Sequence, residues 1–165
     1  MPTYELISST TLSSATNSIT FSSIPSTFND LVLVCNWKGD SAVNLYLRMN
    51  GDSGANYGYG AYGAYGSAST ITGFGGSGST FMGAITITGQ SANNIWCGST
   101  LHINEYKNTN VWKSCLSRNS SSAETVFGCS TWSSTAAINS IQIFTNFADT
   151  YSIGSVFTLY GITAA

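Results

Sequence analysis

Leu31, Val32, Leu33, Val34 and Cys35 form an unbroken apolar run, and Trp37 with a Lys38-Gly39-Asp40 turn signal closes it. A short apolar run rich in β-branched residues reads as a strand covered on both faces. Beyond the turn, Val43, Leu45, Leu47 and Met49 alternate with Asn44, Tyr46, Arg48 and Asn50. That is the period of a strand with one dry and one wetter face. Asn50-Gly51 turns the chain again, since both residues tolerate positive φ. Two strands do not stand alone in water, so the other segments must cover this pair.

The same short period recurs along the chain. Strands are expected at residues 4–9, 18–21, 31–37, 43–49, 81–88, 95–103, 111–116, 125–132, 138–144 and 155–162. Ile24-Pro25 makes a corner, because proline cannot donate to a ladder, and Phe28 is expected beneath it. Ile85 and Ile87 face one way; Leu101 and Ile103 point in, with His102 out. Phe157 and Leu159 oppose Val156, Thr158, Tyr160 and Ile162. No segment holds helical spacing over three turns. Short strands separated by turn signals argue for an all-β sandwich or barrel. The expectation is a jelly-roll-like antiparallel β-sandwich of about eight to ten strands, in one domain over residues 1–165. An immunoglobulin-like sandwich has fewer strands.

Charge narrows the functional classes. Charged residues are 7% of the chain, against about 25% in an ordinary soluble domain. The polar surface comes instead from 27 Ser, 20 Thr and 14 Asn. A neutral surface suits a protein held in an assembly or facing neutral groups such as sugars. Lys38, Arg48, Lys107, Lys113 and Arg118 are too few and scattered to track phosphates, so no nucleic-acid partner is expected. No apolar stretch is long enough to span a bilayer. The first ten residues, MPTYELISST, lack a basic n-region and an apolar h-region, so no signal peptide is expected. Cys35, Cys97, Cys115 and Cys129 allow three disulfide pairings. With no CxxC and one histidine, they read as buried free thiols.

Candidate chemistry is thin. Gly58, Gly60 and Gly63, then Gly73, Gly75 and Gly78, match GxGxxG. The pattern binds a dinucleotide only between a strand and a helix, and neither match precedes a helix. His102 lies near Glu105, but a catalytic pair needs a third positioned group and a cleft. Asp40, Asp52, Asp149, Glu5, Glu105 and Glu124 are isolated in sequence, and their spacing does not mark a glycosidase pair. Asp30, Asp40 and Asp52 lack the DxDxDG spacing of a calcium loop. No catalytic residue, metal site or cofactor is expected.

Residues 51–80 are different. GDSGANYGYGAYGAYG sets Tyr57, Tyr59, Tyr62 and Tyr65 on a glycine backbone, and GFGGSGS adds Phe74. The stretch reads as a long Gly/Tyr-rich loop, and long loops are often functional. Tyrosine offers broad amphipathic contact at low entropic cost. Tyr57, Tyr59, Tyr62, Tyr65 and Phe74 are therefore the candidate partner-binding residues, for a protein neighbour or a sugar ring. The alternative is that the loop folds back on its own sandwich, with the tyrosines as lids over the core.

The segments FSSIPSTFNDLVLVC, LYLRMNGDSGANY, AAINSIQIF and the terminal GSVFTLYGI resemble a group of virion structural proteins of tailed bacteriophages, many from phages of aquatic bacteria and cyanobacteria. The resemblance spans most of the chain and is weakest over residues 55–79. It implies a β-sandwich virion part, without catalytic residues to carry over. The expectation is a non-enzymatic capsid decoration (cement) protein, made in the host cytoplasm, acting as a homo-trimer on the major capsid protein or another virion protein. The alternative is a tail-fibre or receptor-binding module touching host glycan through the Gly/Tyr segment.

Overall fold

The computed structural model describes residues 3–40, 43–65, 71–82, 95–122, 124–145 and 149–163, and Tyr65 by its backbone alone. Among the described residues there are eleven strands and no helix. They are β1 (Thr3–Thr11), β2 (Ser18–Phe21), β3 (Asp30–Trp37), β4 (Tyr46–Met49), β5 (Tyr57–Tyr65), β6 (Ile71–Ser79), β7 (Cys97–Asn104), β8 (Lys113–Ser120), β9 (Glu124–Trp132), β10 (Ile141–Phe144) and β11 (Val156–Thr163). One antiparallel sheet runs β1-β11-β3-β7-β8-β9-β5-β6, and a second runs β2-β10-β4. The chain changes sheet at each step from β1 to β5, and again on entering and leaving β10.

The two sheets close on one contiguous core. Leu31, Leu33, Cys35 and Trp37 of β3 meet Leu47 and Met49 of β4, Ile141 and Ile143 of β10, and Phe157 and Leu159 of β11. Each such side chain contributes about 1.5–3 kcal/mol on leaving water. The all-β sandwich expected from the strand periodicity is the observed architecture, and the phases read for Leu101, His102, Ile103, Phe157 and Leu159 hold. Phe28 is buried at the Pro25 corner. The Tyr106 hydroxyl fixes that corner, donating to the Pro25 carbonyl and accepting the Phe28 N–H at 3.3 Å.

Several expectations are corrected. Residues 31–37 and 43–49 do not pair. Each belongs to a different sheet, and they pack face to face across the core. The outer face of β3 is only partly covered: Val32 is buried, Val34 half-buried and Asn36 exposed. The stretch 51–80 is not a long loop, because most of it is β5 and β6, paired from Tyr57↔Ser79 to Ala64↔Ile71. Glycine is a poor strand former, and that hid the hairpin. Tyrosine rings cover the bare positions. A Cβ on Gly73 would lie 2.7 Å from the Tyr62 ring, and one on Gly76 would lie 3.4 Å from the Tyr59 ring. An aromatic side chain over a neighbouring glycine rescues such a strand.

The β8–β9 hairpin is longer than its apolar pattern suggested. Polar Ser117, Asn119 and Glu124 point inward on it, which disguised the alternation. Lys113 also points inward and is fully buried. Its Nζ donates to the carbonyls of Asn108, Val111 and Thr135 at 2.5, 2.9 and 3.2 Å. Of the strand expected at 81–88, Phe81 and Met82 are described, and Met82 exchanges two backbone hydrogen bonds with Leu47. The rest lies outside the described residues. All four cysteines are free thiols, but Cys129 is exposed rather than buried.

Candidate functional site

The five residues proposed as a contact set do not share a surface. Tyr57 is 1% exposed, and its hydroxyl accepts the Met49 N–H at 3.1 Å and donates to the Asp52 carbonyl at 3.0 Å. Burial pushes the phenol up to about 12. It is a core residue that no partner can touch. Tyr59 and Phe74 are half-buried, 6.4 Å apart, and pack on Ala61 and Val126 beneath the sheet. Tyr65 pairs with Glu124 through its backbone, and its side chain lies outside the described residues. Tyr62 points to the opposite face of the sheet and is 67% exposed.

Period-2 geometry then defines the face on which Tyr62 stands. Reading the registers across the large sheet gives one transverse row: Ser9, Thr158, Val34, Thr100, Arg118, Phe127, Tyr62 and Gly73. The row beside it holds Leu6, Tyr160, Val32, His102, Leu116, Cys129, Gly60 and Gly75 from the same pairings. Tyr4, Leu6, Tyr62, Leu116 and Phe127 on this face are large apolar side chains left exposed. Adjacent strands lie about 4.8 Å apart, so these side chains form one broad surface.

Charge on this face is confined to a few positions. Asp30 Oδ2 contacts His102 Nε2 at 3.1 Å, and Asp30 Oδ1 accepts the Glu105 N–H at 2.7 Å. The carboxylate nearest His102 is therefore Asp30, not Glu105. Glu105 Oε2 instead accepts an amide N–H of Asn108 at 3.1 Å. Arg118 is exposed at the centre of the first row. Gly98 on β7 has no side chain to project, and Asn36, Thr100, Arg118, Ser120 and Phe127 stand around it. The result is an open depression of about 460 Å³. A second hollow of about 240 Å³ shares Thr100, Arg118 and Phe127 with it and continues to Val32, His102 and Tyr4.

Behind the depression lies a buried polar chain. Trp37 Nε1 donates to Ser99 Oγ at 3.0 Å, Ser99 Oγ donates to Asn119 Oδ1 at 2.5 Å, and Asn119 Nδ2 donates to Glu124 Oε1 at 3.2 Å. Glu124 Oε2 is buried with no hydrogen-bond partner among the described residues. Burial pushes this carboxyl up to about 7.

Other groups considered for chemistry are engaged elsewhere. Asp40 accepts both the N–H and the hydroxyl of Thr150, and Asp52 accepts from Trp132 and Asn56. Burial raises the thiols of Cys97 and Cys115 to about 11 and 12, which leaves them as thiols rather than nucleophilic thiolates. Among the described residues no three metal-ligating side chains cluster.

Arg118, Phe127, Leu116 and Gly98 were not singled out from sequence. In KSCLSRNS, Cys115 and Leu116 are adjacent, so alternation alone does not say which points out. The structure turns Cys115 inward and Leu116 outward. Comparison with family models, with curated proteins and with solved structures finds no match for this chain.

Proposed function

We propose that this protein is a non-enzymatic structural component of a bacteriophage virion, most simply a capsid decoration protein that binds the assembled shell. The observation that carries the reading is the outer face of the eight-stranded sheet. It is broad, nearly uncharged, and exposes Tyr4, Leu6, Tyr62, Leu116 and Phe127. Exposed apolar surface of this kind marks protein interaction. The strand orders β1-β11-β3-β7 and β2-β10-β4, with the chain crossing between layers, support a jelly-roll wiring, an architecture used by viral capsid and lectin domains. The segment resemblance to phage virion proteins supports the setting.

The mechanism is mass action. A protein that binds the lattice but not free subunits stabilises the lattice in proportion to its occupancy. Neutral contact through one copy is weak, and a homo-trimer would multiply it. The test adds purified protein to shells that lack it. Saturation at a fixed, high copy number and a raised rupture temperature are expected. Phe127→Ser or Leu116→Ser should weaken binding without unfolding the protein. A few copies per particle, confined to the tail, would sink the decoration reading.

The second reading, a receptor-binding module, draws on the same face rather than on a Gly/Tyr loop. Of the five residues first assigned to that contact, Tyr62 remains available to it.

A further inference from the structure

Arg118 is exposed, and among the described residues it has no ion-pair partner. It stands between Thr100 on β7 and Phe127 on β9 in one transverse row. The missing side chain at Gly98 opens the depression beside it, with Asn36 on β3 and Ser120 on β8 paired to Gly98 on either side. We propose that this depression binds a ring of an acidic saccharide, with Arg118 holding the ring carboxylate and Phe127 facing the apolar side of the ring.

The chemistry of the wall selects that ligand. A guanidinium pairs with a carboxylate through two parallel N–H···O bonds. Thr100, Ser120 and Asn36 are neutral donors and acceptors suited to ring hydroxyls, and an exposed aromatic suits the C–H face of a sugar. A volume of about 460 Å³ is at the small end of ligand sites, enough for one or two rings. An extended peptide is less suited. It binds a sheet by adding a strand to an edge, whereas β7 and β8 lie in the middle, with neighbours on both sides. A phosphate-tracking ligand would need several cations, and Arg118 is the single basic side chain lining the depression.

The inference shares Phe127 and the outer face with the proposed shell contact, so the two would compete for that surface, and purified protein without shells tests the saccharide site by itself. The full chain is titrated calorimetrically with oligogalacturonate, oligoglucuronate and sialyllactose, with the methyl ester of oligogalacturonate as the uncharged control. At least one acidic saccharide should bind saturably, its ester at least tenfold more weakly, and binding should fall with added salt. Arg118→Met keeps the stem and removes the fork, and should lower affinity at least tenfold. Arg118→Lys should fall between. Gly98→Leu should abolish binding with Arg118 intact. A Cβ at Gly98 meets nothing nearer than Asn36 Oδ1 at 3.9 Å, so the backbone there accepts a side chain directed into the depression, and thermal unfolding checks that the variant folds.

With the saccharides, three outcomes overturn the proposal: no acidic saccharide binds, acid and ester bind alike, or Arg118→Met and Gly98→Leu both bind like the parent. Equal, Arg118-dependent binding of a hexaglutamate peptide would also overturn it, making the site a carboxylate contact for a protein surface.

Discussion

Trp132 donates its indole N–H to the Asp52 carboxylate at 2.7 Å, tying the end of β9 to the turn that carries the chain from the small sheet to the large one. Asp52 also accepts the Gly54 N–H at 2.8 Å and the Asn56 amide at 3.0 Å, and its carbonyl takes the Tyr57 hydroxyl. Asn50 and Gly51 precede it with φ of 54° and 69°. The Asn50 side chain accepts the N–H groups of Asn139 and Ser140 at 2.8 and 3.1 Å. One short turn thus fixes the crossover, the end of β9 and the approach to β10.

Those bonds, the Trp132 contact first, hold the Asp52 carboxyl below its ordinary value. A depressed carboxyl stabilises the fold above its unfolded pKa, near 3.9, and that contribution is lost as pH falls through the folded value. The carboxylate is largely solvent-screened, so Asp52→Ala should cost no more than about 1 kcal/mol at pH 7 and less at pH 3. Urea unfolding at the two pH values measures the difference. An equal loss at both would mean that the carboxylate's charge is not what holds the turn.

Gly161 lies on β11 opposite Leu31 and Glu5, and a Cβ there would fall 2.2 Å from the Phe28 ring. Gly161→Ala must displace the ring or the strand, an overpacking cost of about 1–3 kcal/mol. Phe28→Ala alone should cost about 3–5 kcal/mol. The double variant should cost less than the sum, because removing the ring removes the clash. Strict additivity in chemical denaturation would show that Phe28 is not what requires glycine.

The strands that alternate apolar against polar were legible in sequence, and β2 was placed to the residue. What stayed hidden has three physical sources. In β5 and β6 the glycines carry no hydropathy signal, and Tyr59 and Tyr62, from opposite faces of the sheet, supply what the backbone positions lack. In β8 and β9, Lys113, Asn119 and Glu124 enter the core because specific partners satisfy most of their polar atoms, and a hydropathy pattern does not register such pairings even where, as for Val111 and Asn108 with Lys113, the partner lies two to five residues away. At the candidate site, Arg118, Phe127 and Gly98 come together only through strand register, which no local pattern encodes. Tyr62 was visible as an exposed aromatic, but the face it belongs to was not.

Glu124 predicts a pH dependence opposite in sign to that of Asp52. Its folded value, near 7, lies above the unfolded value of about 4.3, so the folded protein holds the extra proton between them. Stability is highest at or below about pH 4 as far as this group is concerned, and it falls as pH rises through 7. The loss approaches about 4 kcal/mol if the carboxyl is fully shielded, and is less where water screens it. Glu124→Gln should flatten the profile between pH 5 and 8 and be the more stable form at pH 8. A parent profile already flat over that range would show that Glu124 ionises freely in the folded protein.

Tyr57 and Tyr62, five residues apart on one strand, separate fold from surface. Tyr57 packs against Trp132 with ring centroids 6.4 Å apart and hydrogen-bonds two backbone groups of the β4–β5 crossover. Tyr57→Ala should cost about 3–5 kcal/mol, comparable with Leu33→Ala or Leu47→Ala in the core at about 2–5 kcal/mol. Tyr57→Phe keeps the ring and loses the hydroxyl, leaving the Met49 N–H short of its partner at a cost of about 1–3 kcal/mol. Tyr62 stands on the outer face over Gly73, and Tyr62→Ala should lower stability far less than Tyr57→Ala while weakening the shell contact proposed above. Thermal unfolding and shell binding, measured on the same preparations, keep the two effects apart. If Tyr62→Ala destabilises as much as Tyr57→Ala, the ring over Gly73 is what holds the edge hairpin, and β5 and β6 belong to the fold on both faces.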